Sequence, residues 1–190
     1  SDEVLTGCGR TGKWFCLDHW GVKPDITLLG KGIGNGFPVS AMLTDGDYAE
    51  SISNIGPSST YGGNPLACAA GLATLEIFED ESVTENSDTI GKYLLASLNQ
   101  LKDEYKIIGD VRGKGCILAI EFVKNRESKE PYIDACELFY KECLKRKLIP
   151  GILVVNLIRI SPPLIIKKEL VDVAVAIIDK CLRVVTKKLS

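Results

Sequence analysis

A short apolar strand that runs directly into a glycine-rich turn is the feature that most restricts the fold. Residues 24–42 read PDITLLGKGIGNGFPVSAM, and the branched apolar run Ile26–Leu29 predicts a buried strand. Lys31 follows this strand, inside a segment that also holds Gly30, Gly32, Gly34 and Gly36. In α/β sheets, ligands bind at the carboxyl ends of strands. The position of Lys31 therefore makes it the first candidate functional residue.

Two phosphate-binding motifs are excluded at this lysine. A P-loop requires GxxxxGK followed by Ser or Thr, but Asp25 replaces the first glycine and Gly32 follows the lysine. A dinucleotide-binding GxGxxG motif fails because Asn35 or Phe37 stands at the third glycine. Two interpretations remain open. Lys31 is a solvated surface lysine, or its amine forms a Schiff base beside glycines that let a flat cofactor approach.

The composition favours a folded protein with a small-molecule substrate. The chain has 190 residues, 45% hydrophobic residues and a net charge of −2, which is enough for one fair-sized domain or two small ones. The absence of a strong basic charge argues against nucleic acid or an anionic membrane as a partner. No apolar run is long enough to span a bilayer, and the first residues resemble no secretion signal. We therefore expect a cytoplasmic protein.

The cysteines and the histidine predict neither disulfides nor a metal site. The seven cysteines form no CxxC pair and several occupy apolar positions, which favours buried reduced thiols. His19 is the only histidine, and a partly packed surface imidazole is its expected state.

The hydrophobic pattern changes character along the chain. Residues 1–63 are rich in glycine and turns, with short strands predicted at 26–29 and 39–43. Asn64 and Pro65 predict the start of a helix, a second helix is expected at 87–105, and a charged link is expected at 79–86. Further on, the pattern predicts a small α+β domain with strands at 107–111, 116–122, 152–155 and 157–161 and helices at 132–147 and 168–186.

Four separated blocks carry a resemblance to a known family. They are residues 2–42, SSTYGGNPLACAAGLATLEIFED, VRGKGCILAIEF and LIRISPPLIIKKEL, in this order. Together they resemble the carboxyl-terminal half of class III, fold-type I aminotransferases that use pyridoxal 5'-phosphate, such as the 4-aminobutyrate, ornithine and acetylornithine aminotransferases. The resemblance implies an α/β fold class. Residues 1–80 would end the large cofactor-binding domain, and residues 81–190 would form the small carboxyl-terminal α+β domain.

The resemblance also assigns roles to four residues. Lys31 matches the lysine that forms the Schiff base with the cofactor and then moves a proton as general acid and base. Asp2 matches the carboxylate that pairs with the pyridine nitrogen, and Thr60 matches a contact to the cofactor phosphate of the neighbouring subunit. Arg159 matches the clamp for the substrate carboxylate. Without the resemblance, Asp2 would be interpreted as a solvated acid and Thr60 as a turn threonine. Arg159 would be interpreted as a salt-bridged residue at the end of a strand.

The implied function is transfer of an amino group from an amino acid, including ω-amino acids, to a 2-oxo acid in a homodimer. The same chemistry leaves a racemase or a decarboxylase open. Leu5 stands where many members of the family have a glutamine that contacts the cofactor ring. Family chains are roughly twice as long. We therefore expect that an amino-terminal half is missing, and that the isolated chain is inactive or needs a complementary half.

Overall fold

The computed structural model describes residues 1–53 and 59–189. The chain divides into two compact units, Ser1–Glu85 and Asn86–Ser190. The assignment of these parts to a cofactor domain and a small domain stays a prediction.

The first unit is built around a short sheet. Strands β1 (Ile26–Leu29) and β2 (Ala41–Thr44) pair antiparallel, and Leu28 lies opposite Met42. The first residues of the chain extend the sheet on the other side of β1, because Asp2 forms a parallel bridge with Leu28. The predicted strand at 26–29 is confirmed, but the prediction that it is buried is wrong for this chain, because Leu29 is buried while Ile26 and Leu28 are exposed. The strand predicted at 39–43 begins two residues later than expected.

Two helices complete the described part of the first unit, α1 (Gly46–Ser53) and α2 (Pro65–Asp80). The predicted start of α2 is confirmed, since Asn64 Oδ1 accepts a hydrogen bond from Ala67 N at 2.9 Å and Pro65 begins the helix. The sequence did not predict α1. The predicted polar link at 79–86 is also wrong in extent, because α3 (Val83–Glu104) already begins at Val83.

The second unit is an antiparallel sheet with helices packed against it. The strand order is β3-β4-β6-β5, from β3 (Ile108–Lys114), β4 (Ile117–Phe122), β5 (Ile152–Val154) and β6 (Leu157–Ile160). Helices α4 (Ile133–Lys145) and α5 (Lys168–Leu189) bury their apolar stripes in the same core as α3. The rings of Phe122 and Phe139 lie 5.2 Å apart in this core. The predicted order of strands and helices is confirmed.

The cysteines are free, as the sequence predicted, and five of the seven are buried. Burial raises the pKa of the Cys136 thiol to about 12, so this thiol stays protonated at neutral pH. The half-buried His19 places Nε2 2.9 Å from Thr11 O, which confirms a partly packed imidazole. Within residues 1–53 and 59–189, no helix is long and apolar enough to cross a membrane, and no cluster of His, Cys, Asp or Glu is arranged for a metal ion.

Candidate active site

Lys31 lies where the sequence places it, just beyond the carboxyl end of β1. Gly30 continues the extended backbone of the strand, and Lys31 begins a 3-10 turn that ends at Gly34. The lysine is exposed and has a φ of +44°, a conformation that is rare for a residue with a Cβ. The backbone therefore turns sharply at this residue.

The glycines around Lys31 serve packing within the protein. A Cβ on Gly30 would lie 3.1 Å from Val4 Cγ1, and a Cβ on Gly32 would lie 3.0 Å from Cys8 Cβ. Both distances are too short for ordinary contacts between side chains. Glycine at these positions allows the segment 4–8 to pack directly against the lysine turn. The sequence suggested that these glycines let a cofactor approach closely. In the structure, Gly30 and Gly32 instead let another segment of the protein pack against the turn.

The left-handed backbone at Lys31 leads to a stability prediction. Lys31→Gly should have a free energy of unfolding about 1 kcal/mol higher than Lys31→Ala, because glycine adopts a positive φ without the Cβ penalty. Both variants lack the amine, so their difference isolates the backbone. Urea unfolding followed by tryptophan fluorescence measures it, since Trp14 and Trp20 both lie in the first unit. An alanine variant as stable as the glycine variant would contradict strain at this position.

Asp2 lies on the extended segment beside β1. Glu3 N donates to Leu28 O at 3.0 Å, and Leu28 N donates to Ser1 O at 2.9 Å, so this segment runs parallel to the strand that precedes Lys31. Asp2 Oδ1 accepts a hydrogen bond from Val4 N at 3.0 Å, which fixes the carboxylate at the start of a turn. Asp2 and Lys31 are therefore carried by neighbouring parallel segments of the first unit.

Sequence reasoning missed the role of Glu3. This carboxylate is buried, and it accepts hydrogen bonds from Thr6 Oγ1 at 2.5 Å and from Leu17 N at 3.2 Å. Because a buried carboxylate must be paired, these bonds hold the segment of Asp2 against the following loop. The signal in the sequence was weak. Glu3 is one of two adjacent acids, and only Thr6 three residues later hints at a local partner.

Thr60 lies in the tight turn that precedes α2. Gly62 N donates to Ser59 O at 3.1 Å, and Asn64 Nδ2 donates to Tyr61 O at 2.9 Å, so hydrogen bonds on both sides shape the turn. Thr60 itself is exposed. A groove of about 890 Å³ in the first unit is lined by Ser59 and Tyr61 and also by Ile33 of the lysine turn. The turn of Thr60 and the turn of Lys31 thus border one groove.

Arg159 lies in the second unit, on β6, between Ala119 of β4 and Ile152 of β5. The side chain is half-buried, and its Nε is buried without a hydrogen-bond partner among residues 1–53 and 59–189. No carboxylate in the described parts of the chain forms a salt bridge with Arg159. These residues therefore do not support the interpretation of Arg159 as a salt-bridged residue. An unpaired guanidinium donor suits a planar anion such as a carboxylate.

The comparison with protein families decides the identity. A family model described as aminotransferase class-III matches residues 1–182. The chain belongs to this family. Residues 1–182 include all four predicted site residues, although a family match does not assign a role to any of them.

Known relatives of this class-III aminotransferase family member differ in activity. A leucine/methionine racemase of Thermococcus litoralis is 41% identical over 171 residues, and the match covers 90% of this chain and 39% of the racemase. An acetylornithine aminotransferase of Caldanaerobacter subterraneus subsp. tengcongensis is 40% identical over 182 residues, covering 95% of this chain and 44% of that enzyme. The chain thus corresponds to a carboxyl-terminal portion and spans about 40% of the length of these relatives.

The solved structures agree with the family. A transaminase from the marine bacterium Virgibacillus has a TM-score of 0.92 and 30% identity, covering 100% of this chain and 45% of the transaminase. The predicted fold class, the carboxyl-terminal part of a fold-type I α/β transferase, is confirmed.

Proposed function

We propose that this chain is the carboxyl-terminal part of an aminotransferase that uses pyridoxal 5'-phosphate to transfer an amino group from an amino acid to a 2-oxo acid. The observation that carries the proposal is the position of Lys31, exposed in a left-handed turn at the carboxyl end of β1 and beside the segment of Asp2. Among the relatives, aminotransferases and racemases both occur. The family model is described as aminotransferase class-III, which favours amino transfer.

The residues present fit this cofactor. Lys31 offers an exposed amine, and Asp2 offers a carboxylate whose Oδ1 is already oriented by Val4 N. When bound, pyridoxal phosphate supplies an electron sink for the carbanion at the substrate α-carbon. The buried and unpaired Nε of Arg159 supplies a donor for a carboxylate.

Each residue then has a distinct role in the proposal. Lys31 Nζ would hold the cofactor covalently until the amine of the substrate displaces it, and the freed lysine amine would then carry the proton from the substrate α-carbon to the cofactor. The Asp2 carboxylate keeps the ring nitrogen protonated, because a nearby negative charge favours the cationic form. The Arg159 guanidinium binds the substrate carboxylate through two parallel hydrogen bonds.

The proposal includes an assembly of two subunits. The Thr60 hydroxyl donates a hydrogen bond to the cofactor phosphate held by the neighbouring subunit of a homodimer. Its exposure on a hydrogen-bonded turn supports this role, since such a turn presents the hydroxyl outward at a defined place. The remaining partners are small molecules, an amino acid and a 2-oxo acid.

Racemisation is the second candidate, and the 41% identity to the Thermococcus litoralis racemase favours it. In that reaction, the α-proton returns to the opposite face of the same substrate and no acceptor is consumed. Analysis of products with and without a 2-oxo acid separates the two reactions. Amino transfer requires the acceptor, whereas racemisation proceeds without it. The measurement requires the complete enzyme, because the chain covers about 40% of its relatives.

Borohydride trapping tests the cofactor proposal directly. The purified chain is incubated with pyridoxal phosphate, reduced and digested, and the pyridoxyl group is located by peptide mass. We expect the label to concentrate on Lys31. Lys31→Ala should remove the concentrated label, while Lys23→Ala, at an exposed lysine of the same unit, should leave it in place. A label spread equally over surface lysines in all three proteins would contradict the proposal.

A further inference from the structure

A polar cavity lies on the second unit, where β3 pairs with β4. Its volume is about 360 Å³. The charged residues that line it come from these two strands and from the loop after β4, and they are Asp110, Arg112, Glu121, Arg126 and Lys129. None of the four candidate active-site residues lines this cavity. Its charged groups therefore have no part in the amino transfer proposed above.

A β-bulge at Gly109 shapes the wall of the cavity. Ile108 and Asp110, on either side of this glycine, lie opposite consecutive residues of β4, so Gly109 is an extra residue in β3. A Cβ at Gly109 would lie 2.6 Å from Val123 Cγ1, so a residue with a side chain does not fit there. Bulges bend a strand, redirect its side chains and are common beside functional sites. The bulge thus separates the pairing of the strands at the point where the cavity opens.

The two carboxylates of the cavity already have cationic partners. Arg112 Nη1 donates to Asp110 Oδ2 at 3.0 Å and to Glu121 Oε2 at 2.6 Å. On the other side, Lys102 Nζ donates to Asp110 Oδ1 at 3.3 Å. Two acids and two bases therefore offset each other's charge, and the Nη2 and Nε groups of Arg112 stay available as donors.

Arg126 is held in place by backbone carbonyls near the end of α3. Its Nε donates to Ile108 O at 2.9 Å, and its Nη2 donates to Tyr105 O at 3.2 Å and to Lys102 O. Among the described residues, Nη1 of Arg126 makes no hydrogen bond and no carboxylate pairs with the guanidinium. Because carbonyls carry no net charge, the positive charge of Arg126 is not neutralised. A guanidinium fixed in this way is a preorganised donor for an oxyanion.

Lys129 supplies a second positive charge that is not neutralised. The loop that carries it is shaped by Asn125, whose Oδ1 accepts hydrogen bonds from Glu127 N at 2.7 Å and Ser128 N at 3.0 Å. Lys129 N donates to Asn125 O at 2.9 Å. In the parts of the chain that the structure describes, Lys129 Nζ has no ion pair. The ammonium group is therefore free to bind an anion at the cavity.

We propose that this cavity binds a phosphate group, either as inorganic phosphate or on a small metabolite. A phosphate dianion matches the two positive charges of Arg126 and Lys129 that no carboxylate neutralises. Its oxygens accept hydrogen bonds from the guanidinium of Arg126, the ammonium of Lys129 and the remaining donors of Arg112. A dicarboxylate of the same charge fits less well, because its two charges lie apart. This inference concerns a second binding site and is independent of the amino transfer proposed above.

Titration with inorganic phosphate tests the inference by NMR. The isotope-labelled full chain is titrated at about pH 8, where phosphate is a dianion, and sodium chloride keeps the ionic strength constant. We expect saturable changes in the amide chemical shifts of residues 109–112 and 126–129. Lys129→Ala should raise the dissociation constant for phosphate about fivefold or more, because it removes one of the two charges that bind the anion.

Glycerol phosphate separates the two sources of the phosphate group. A dissociation constant lower than that of inorganic phosphate would support the inference and identify a phosphate ester as the ligand. A higher dissociation constant, with saturable binding of inorganic phosphate, would support it and identify the free ion. Both titrations are made without pyridoxal phosphate.

Two further variants make the test specific. Lys141→Ala is the matched control, because Lys141 is an exposed lysine on α4 of the same unit and does not line the cavity. It should leave the dissociation constant unchanged. Lys129→Arg preserves the charge and should retain binding. Lys129 has a φ of +56°, and both of its variants keep a Cβ, so the backbone strain is the same in all three proteins. Far-UV circular dichroism of each variant verifies that it is folded.

Three results would overturn the inference. The first is a set of chemical-shift changes that grow with phosphate concentration without saturating. The second is an equal loss of affinity in Lys129→Ala and Lys141→Ala. The third is binding of succinate as tight as that of phosphate, because the cavity would then recognise charge alone. Since the cavity lies in the second unit and no cofactor is present, failure of the borohydride experiment would not affect these results.

Discussion

Replacing Gly151 with alanine should lower the free energy of unfolding of the second unit by about 3 kcal/mol or more. Gly151 precedes β5 and has a φ of +135°, where residues with a Cβ are strained. A Cβ there would lie 1.8 Å from Arg159 O and 2.9 Å from the carbonyl carbon of Arg159. Since both atoms belong to the backbone, no rotation of a side chain relieves the overlap. The strand itself has to move.

The same change should disturb the candidate substrate clamp. Ile152 follows Gly151 and lies opposite Arg159 in the pairing of β5 with β6. Movement of β5 away from β6 therefore displaces the arginine whose Nε is buried and unpaired. Under the proposed function, the complete enzyme carrying Gly151→Ala should bind its carboxylate substrate more weakly. A substrate affinity that is unchanged despite the lost stability would separate Arg159 from this role.

Gly46→Ala is the matched control for this experiment. Gly46 begins α1, and a Cβ at this position would meet no atom of the described part of the chain within 4 Å. The substitution should change the free energy of unfolding by less than about 1 kcal/mol. Urea unfolding followed by far-UV circular dichroism compares the variants, and tryptophan fluorescence reports the first unit separately. Equal urea midpoints for Gly151→Ala and the unchanged chain would show that the strand accommodates the methyl group.

The sequence predicted those elements whose signals are local. Helix α2 begins at a capping asparagine followed by proline, and α5 carries a wide apolar stripe, so both followed from short-range pattern. Helix α1 was missed because GDYAESIS opens with glycine and is only 8 residues long, which is too short for an apolar repeat to stand out. The polar link at 79–86 was predicted too long, because its charges hid the buried Val83 at the start of α3. Charge alone does not mark a loop.

The candidate site shows the same division between local and distant signals. Lys31 at the end of β1 could be predicted, since strand and glycine turn are adjacent in sequence. The place of Asp2 beside Leu28 depends on pairing across 26 residues, and no pattern within the first residues encodes it. Likewise, buried Glu3 accepts a hydrogen bond from Leu17 N, 14 residues further along the chain. The unpaired Nε of Arg159 becomes apparent only in the folded sheet. Only the resemblance to a family pointed to Asp2 and Arg159 as candidates, and their roles stay predictions.

Glu142 should make a large contribution to the stability of the second unit. This carboxylate on α4 is buried and accepts hydrogen bonds from Arg146 Nη1 at 2.6 Å, Lys145 Nζ at 2.9 Å and Lys188 Nζ at 3.2 Å. The bond to Lys188 joins α4 to the end of α5. Glu142→Gln removes the charge but keeps the shape, and it should lower the free energy of unfolding at pH 7 by about 2 kcal/mol.

Acid should remove this contribution in a defined range of pH. The hydrogen bond from Arg146, with those from the lysines, lowers the pKa of Glu142 from 4.5 to about 2 in the folded protein. A carboxyl whose pKa is lower when folded stabilises the protein fully above about 4.5, and the stabilisation is lost as the pH falls toward 2. The difference in stability between the unchanged chain and Glu142→Gln should therefore be constant near neutrality and shrink at pH 3.

Glu137→Gln provides the comparison at an exposed site on the same helix. Among the described residues, Glu137 forms an ion pair only with Lys141, at 3.4 Å, and both side chains are largely solvated, so the change should cost less than about 0.5 kcal/mol. Urea unfolding of the three proteins at pH 7 and pH 3 gives the four differences required. If Glu142→Gln lost no more stability than Glu137→Gln at pH 7, the burial of Glu142 would offset its three hydrogen bonds. The link between α4 and α5 would then rest on the apolar core alone.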